Sequence, residues 1–203
     1  MKKRLVLFDF DGTITTRDTF IEFLIFYTGL TRFLAGMAIM SPYLALFKLG
    51  LIPNWKAKQR VIRFFLAGET VERLRTKCDE FSEKILPSLI RPGALETINN
   101  YKTEKSTVAV VSASAEDWVE PWCRKQGMLC IATQLEIENG KVTGNLCGPN
   151  CYGPEKVKRI EKHFNLREFD EIVAYGDSAG DKEMFEIAHQ SHYKPFRSGV
   201  VTS

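Results

Sequence analysis

Four short apolar runs, each ending abruptly in a polar residue and each followed by a helical pattern, constrain the fold of this chain more than any other feature. Arg4-Leu5-Val6-Leu7-Phe8 stops at Asp9, Thr107–Val111 stops at Ser112, Met128–Ala132 stops at Thr133, and Glu171–Tyr175 runs into Gly176-Asp177. Runs this short that are apolar without alternation predict strands buried on both faces of a parallel sheet. Helical patterns cover Gly93–Lys102, Ala115–Gln126 with Pro121 inside, Pro154–Phe164 and Ala179–Ala188. Strands alternating with helices predict an α/β architecture, a doubly wound, Rossmann-like sheet covered on both faces. Residues 134–146, QLEIENGKVTGNL, alternate apolar and polar about Asn139-Gly140, which predicts an added β-hairpin.

The strands are unevenly spaced. Almost a hundred residues separate the first from the second, far more than one crossover helix needs. Residues 17–86 within that gap read as helical, broken at Pro53-Asn54 and Ala67-Gly68-Glu69-Thr70, and are expected to form a helical cap domain inserted into a core made of residues 1–16 and 87–203. A chain of 203 residues suffices for that arrangement without disulfide or metal staples.

Composition excludes some functions. With 28 Lys+Arg against 25 Asp+Glu the net charge is +3, which speaks against a dedicated nucleic-acid binder. Cys78, Cys123, Cys130, Cys147 and Cys151 contain no CxxC pair, so reduced thiols in a cytoplasmic setting are expected. The basic start followed by apolar residues is interrupted by Asp9 and Asp11 too early for a signal peptide. Residues 20–50 are the anomaly, with 21 hydrophobic residues in 31 and three charges, Glu22, Arg32 and Lys48. The longest uncharged stretch, Phe33–Phe47, has 15 residues and contains Pro42, short of the roughly 20 needed to span a bilayer. Phe20, Phe23, Leu24, Phe26, Phe33 and Leu34 are expected to glue cap helices together, with lipid contact or dimerisation through the cap as the other ways to cover so much apolar surface.

In open α/β sheets, ligands bind beyond the carboxyl ends of the strands. Those ends present Asp9 and Asp11, Ser112, Thr133, and Asp177 with Asp181. Carboxylates converging on one edge repel one another unless a cation sits among them, and oxygen donors beside a phosphate suit Mg²⁺. Carboxylates, Mg²⁺ and one lysine make a phosphoryl-transfer set. Taken singly, Asp9 and Asp11 also suit a turn, Ser112 a helix cap, and Lys156 a solvated surface.

Taken together, Asp9-Phe10-Asp11-Gly12-Thr13, Ser112 at the end of Val110-Val111-Ser112, Lys156 opening a helix, and Gly176-Asp177-Ser178-Ala179-Gly180-Asp181 resemble the four motifs of the haloacid dehalogenase superfamily. The place of the insertion is similar to that in the phosphoserine phosphatase-like subgroup. The resemblance implies a Mg²⁺-dependent phosphatase acting on a small-molecule phosphate ester. Asp9 would be the nucleophile and Asp11 the general acid and base, with Ser112 and Lys156 completing the catalytic set. The metal ligands would be Asp9, Asp11 through its main-chain carbonyl, Asp177 and Asp181, and the N–H groups of Gly12 and Ala113 would line the phosphate. Asp11 favours ester hydrolysis over dehalogenation, with transfer to an alcohol acceptor left open. By the same resemblance, Asp18, nine residues after Asp9, and Arg60, the nearest cap candidate by pattern, would stand where that subgroup grips phosphoserine. Asp18 is shorter by one methylene than the glutamate of that subgroup, and Lys56, Arg60 and Arg63 also fit a solvated basic face. The apolar cap is similar to those of phosphatidylglycerophosphate phosphatases, which makes an amphipathic substrate the other expectation.

Overall fold

A computed structural model describes residues 2–197 of the chain. The first strand, β1 (Arg4–Phe8), leads through a tight loop at Phe10–Ile14 into α1 (Thr19–Thr28), α2 (Leu30–Lys48), α3 (Asn54–Leu66), α4 (Val71–Lys84) and α5 (Leu86–Leu89). Then come α6 (Pro92–Thr103), β2 (Thr107–Ala115), α7 (Glu116–Lys125), β3 (Leu129–Thr133), the hairpin strands β4 (Leu135–Glu138) and β5 (Lys141–Leu146), and α8 (Pro154–His163). The chain closes with β6 (Glu171–Gly176), α9 (Lys182–Glu186) and β7 (Gln190–Tyr193).

The main sheet has the order β3-β2-β1-β6-β7 with every neighbouring pair parallel, as the apolar runs require. Alternation along the strands divides their side chains between two cores. Val6, Phe8, Val110, Val173 and Tyr175 face α1, α4, α6 and α7, whereas Leu5, Leu7, Val111, Ile172 and Ala174 face α8 and α9. The chain leaves β1 towards β2 on one side and returns to β6 on the other, so the topological switch point lies at the end of β1, where Asp9 sits.

Two features differ from the sequence pattern. The edge strand β7, Gln190-Ser191-His192-Tyr193, has no apolar run because little of it is buried. The helix expected over Ala179–Ala188 is a single turn at Ala179–Asp181 followed by the short α9, because the first turn is taken up by a Ser178–Asp181 capping box. The hairpin forms as expected, with Asn139 and Gly140 at φ 49° and 73°, the left-handed pair that a two-residue hairpin turn requires.

The inserted helices are tied to the sheet at both ends. Thr16 N–H donates to the Leu89 carbonyl and Arg91 N–H to the Ile14 carbonyl, both at 2.8 Å, so entry and exit run side by side. The hairpin also clasps the α3–α4 connection. Gly68 N–H donates to Val142 at 2.8 Å, Val142 N–H to Glu69 at 2.9 Å, and Val71 N–H to Gly140 at 3.0 Å. Phe23 of α1 stacks on Trp118 of α7 at 4.8 Å and meets Phe81 of α4 edge-on at 5.4 Å. Of the residues expected to glue the helices, Phe20, Phe23, Leu24 and Phe33 are buried and Phe26 is half-buried. Leu34 is 55% exposed because it lies on the face of α2 turned away from α3.

Candidate active site

The carboxyl ends of β1, β2 and β6 bring their polar residues to one edge. Asp9 follows β1, and its N–H donates to the Tyr175 carbonyl at 2.8 Å, which fixes the strand end. Its side chain is buried. Lys156 Nζ donates to Asp9 Oδ1 at 2.7 Å and Thr13 Oγ1 to Asp9 Oδ2 at 3.1 Å. Lys156 enters from the first turn of α8, is itself buried, and also donates to Asp181 Oδ1 at 2.6 Å. Two carboxylates on one ammonium are what a buried lysine needs to stay charged. Burial lowers its proton affinity, but Asp9 and Asp181 outweigh that and hold it above the ordinary lysine value. Asp181 Oδ2 accepts from the N–H groups of Asp177 and Ser178 at 3.1 and 3.0 Å, so Asp181 fastens the Asp177 loop to Lys156.

Asp9, Asp177 and Asp181 each bring a carboxylate oxygen within 4.8 Å of the others. Burial pushes the Asp9 carboxyl from 3.8 up to about 7. Lys156 pulls against this rise, while Asp181 and Asp11 add to it. A second cation is needed to keep all of these groups ionised, and a hard divalent ion suits an all-oxygen donor set. The residues therefore fit Mg²⁺. Gly12, at φ 80°, passes so close to Asp177 that any side chain would collide with its carboxylate. Arg197 pairs with the same carboxylate from outside.

Asp11 points to the other side of the loop. Its Oδ1 accepts from the N–H and hydroxyl of Thr19, each at 2.6 Å, and Ser112 Oγ lies 3.4 Å from its Oδ2. Ser112 in turn accepts from Ser114 N–H at 3.0 Å. These groups open onto a cavity of about 430 Å³ between the sheet edge and the inserted helices. Its lining combines Asp9, Asp11, Lys156 and Asp177 from the sheet edge with Phe20, Ile21, Met37, Leu44, Phe47 and Val61 from the inserted helices.

Residues 6–186 match the haloacid dehalogenase-like hydrolase family. The chain belongs to that family. This hydrolase is 35% identical over 195 residues to Protein CicA of Caulobacter vibrioides, a match covering 95% of the chain and 86% of the relative. It is 30% identical to the phosphoserine phosphatase of Methanocaldococcus jannaschii, over 92% of the chain and 83% of the relative. Among solved structures, a Bordetella pertussis Tohama I protein of unknown function shares its fold with a TM-score of 0.82 at 20% identity, covering 94% of this chain and 89% of that one. A phospho-aspartyl intermediate analogue of phosphoserine phosphatase matches with a TM-score of 0.61 at 26% identity, covering 94% and 86%. The hydrolase is thus a phosphatase of the phosphoserine phosphatase-like subgroup.

The structure gathers Asp9, Asp11, Gly12, Ser112, Ala113, Lys156, Asp177 and Asp181 at the sheet edge of this hydrolase. Asp18 lines the cavity while capping α1, accepting from Phe20 N–H at 2.9 Å. Arg60 does not line it. It is exposed, with its guanidinium over the Tyr43 ring at 5.9 Å. The cation that the inserted helices bring to the cavity is Lys58, which donates to the Ala113 carbonyl at 2.7 Å. Burial lowers the proton affinity of Lys58, and Asp11 and Asp18 act in the opposite sense. Arg60 is turned out by helix geometry. The buried face of α3 is Ala57, Val61, Ile62 and Phe65, and Lys58 stands three and four residues before Val61 and Ile62. That periodicity was the available signal for Lys58. Thr19 and Ser114 carried no signal for the site, because a single hydroxyl at the start of a helix or the end of a strand does not show which group it faces.

Proposed function

We propose that the chain is a Mg²⁺-dependent phosphomonoester hydrolase that works through an aspartyl-phosphate on Asp9 and acts on a small or amphipathic phosphate ester. The observation that carries this reading is the buried Asp9–Lys156–Asp181 chain at the end of β1, with Asp11 held separately two residues on. Asp9, Asp177 and the main-chain carbonyl of Asp11 would hold Mg²⁺, with Asp181 supporting the loop. When bound, Mg²⁺ neutralises charge on the phosphoryl oxygens and on Asp9. Asp9 attacks phosphorus as the ester P–O bond breaks, and protonated Asp11 gives its proton to the departing alkoxide. Asp11, now a carboxylate, takes a proton from water as that water attacks phosphorus, the Asp9–phosphorus bond breaks, and phosphate leaves. Lys156, Ser112 and the N–H groups of Gly12 and Ala113 stabilise the transferring group.

In this reading residues 17–86 act as a cap whose helices α1, α2 and α3 wall the cavity, and the five free thiols suit a cytoplasmic enzyme. The apolar wall favours an ester with an apolar portion. Lys58 and Asp18 in the same cavity favour a substrate with carboxylate and ammonium groups, as in phosphoserine, and this is the second reading. The test is hydrolysis of an aryl phosphate with and without EDTA, in the native protein and in Asp9→Asn. Chelation and the substitution are each expected to abolish release of phosphate. Wild-type turnover in Asp9→Asn would overturn the mechanism, and a new phosphoester formed in place of free phosphate would make the enzyme a transferase. A panel of phosphorylated amino acids and lipid head-group phosphates then separates the two substrate classes.

A further inference from the structure

The α2 helix has an apolar face on the wrong side. Its buried stripe, Phe33, Gly36 and Met40, packs on α3. Phe33 stacks on Phe65 at 5.7 Å, and Gly36 leaves room for the Phe64 and Phe65 rings. The opposite stripe of a helix at a water boundary is normally charged or polar. Here it carries Leu30, Leu34, Ile39 and Leu46, and it continues into Leu49 and Leu51 just beyond the helix. Ile39, Leu49 and Leu51 are 69%, 72% and 70% exposed, so these side chains gain almost nothing from the fold. Among the described residues α2 is the one helix long and apolar enough to cross a membrane, with a mean hydropathy of 1.4.

Charge selects the occupant. Between Phe23 and Gly68 there is no Asp or Glu, while Arg32, Lys48, Lys56 and Arg60 are all exposed around the apolar stripe, and Trp55 lies beside them, 44% exposed. Leucine and isoleucine rimmed by cations, with a tryptophan at the margin, match an anionic lipid surface. Packing selects the orientation. The other side of α2 supplies Met37, Leu44 and Phe47 to the cavity wall, so a membrane-spanning α2 would have to leave α3 and dismantle the cavity. We propose that the exposed face of α2, with the α2–α3 corner, docks the protein peripherally on an anionic bilayer, the helix lying in the interfacial plane. The catalytic cavity then lies about one helix diameter, ~10 Å, from the lipid surface.

Sedimentation of the full chain with vesicles tests this, using phosphatidylglycerol mixed into phosphatidylcholine against phosphatidylcholine alone, at low and high salt. The native protein is expected to sediment with the anionic vesicles and to lose on the order of 10³-fold in binding when the anionic lipid is omitted, from about four interfacial cations. Leu34→Glu/Ile39→Glu/Leu49→Glu should abolish sedimentation and leave aryl phosphate hydrolysis in lipid-free buffer unchanged, since these side chains touch neither the cavity nor the core. Arg32→Glu/Lys48→Glu, which keeps the apolar stripe, should remove the preference for anionic lipid. Failure of the native protein to bind anionic vesicles would overturn the proposal, as would unchanged binding by the triple variant. A native dimer that the triple variant dissociates, without lipid binding, would assign the face to a second copy of the chain. Retention through an alkaline carbonate wash would mean a spanning helix. Either result overturns peripheral docking.

Discussion

In the proposed reaction Asp9 must be charged to attack phosphorus, yet it sits where burial disfavours charge. Its folded-state carboxyl, at about 7 against an ordinary 3.8, binds more protons than the same group in the unfolded chain over that interval. The stability it contributes is therefore full below pH 3.8 and is lost as pH rises through about 7 in Mg²⁺-free protein. Urea unfolding in EDTA at pH 5.5 and pH 8 is expected to show this decline, and Asp9→Asn should flatten it; a decline of equal size in the variant would assign it to another group. Gly12 makes a different demand. Its positive φ and its approach to Asp177 leave no room for a β-carbon, so Gly12→Ala should displace the carboxylate and lower kcat by about 10²-fold, read in steady-state hydrolysis. Asp9, Lys156, Asp177 and Asp181 were legible in the sequence because each closes a strand or opens a helix, and Asp11 because it stands two residues beyond a strand end. Lys58 and Thr19 were not, since their roles depend on which way α3 and α1 turn.

At the scale of elements, α1 is where the inserted helices and the sheet share a core. Phe23 is fully buried between Trp118 and Phe81, which belong to α7 and α4. Phe23→Ala removes an aromatic ring from a site with no free space to collapse into and is expected to cost about 3–5 kcal/mol, measured by urea denaturation. A loss below about 1 kcal/mol would mean that the cluster relaxes around the gap. The hairpin was legible from Asn139-Gly140, because few residues adopt two successive left-handed conformations. Its clasp on the α3–α4 connection was not, because backbone hydrogen bonds between Gly68–Val71 and Gly140–Val142 leave no mark on side-chain pattern. The edge strand β7 escaped notice for the related reason that it buries little.

For the whole molecule, one continuous apolar cluster runs from Val6 and Val110 in the sheet through Phe23 and Trp118 to Phe65 and Leu74 in the inserted helices. A shared core of this kind is expected to unfold in a single transition by fluorescence and circular dichroism alike, and two separated midpoints would show that the inserted helices melt on their own. The sequence by itself determined the parallel sheet, the place of the helical insertion and the acidic, lysine-bearing edge, because local apolar runs and strand-end residues encode strand burial directly. Only the tertiary structure decided which cation of the inserted helices enters the cavity and which side of α2 stays uncovered. Both depend on the rotation of one helix against another, and that rotation is set by packing between residues far apart in the chain, such as Gly36 against Phe65.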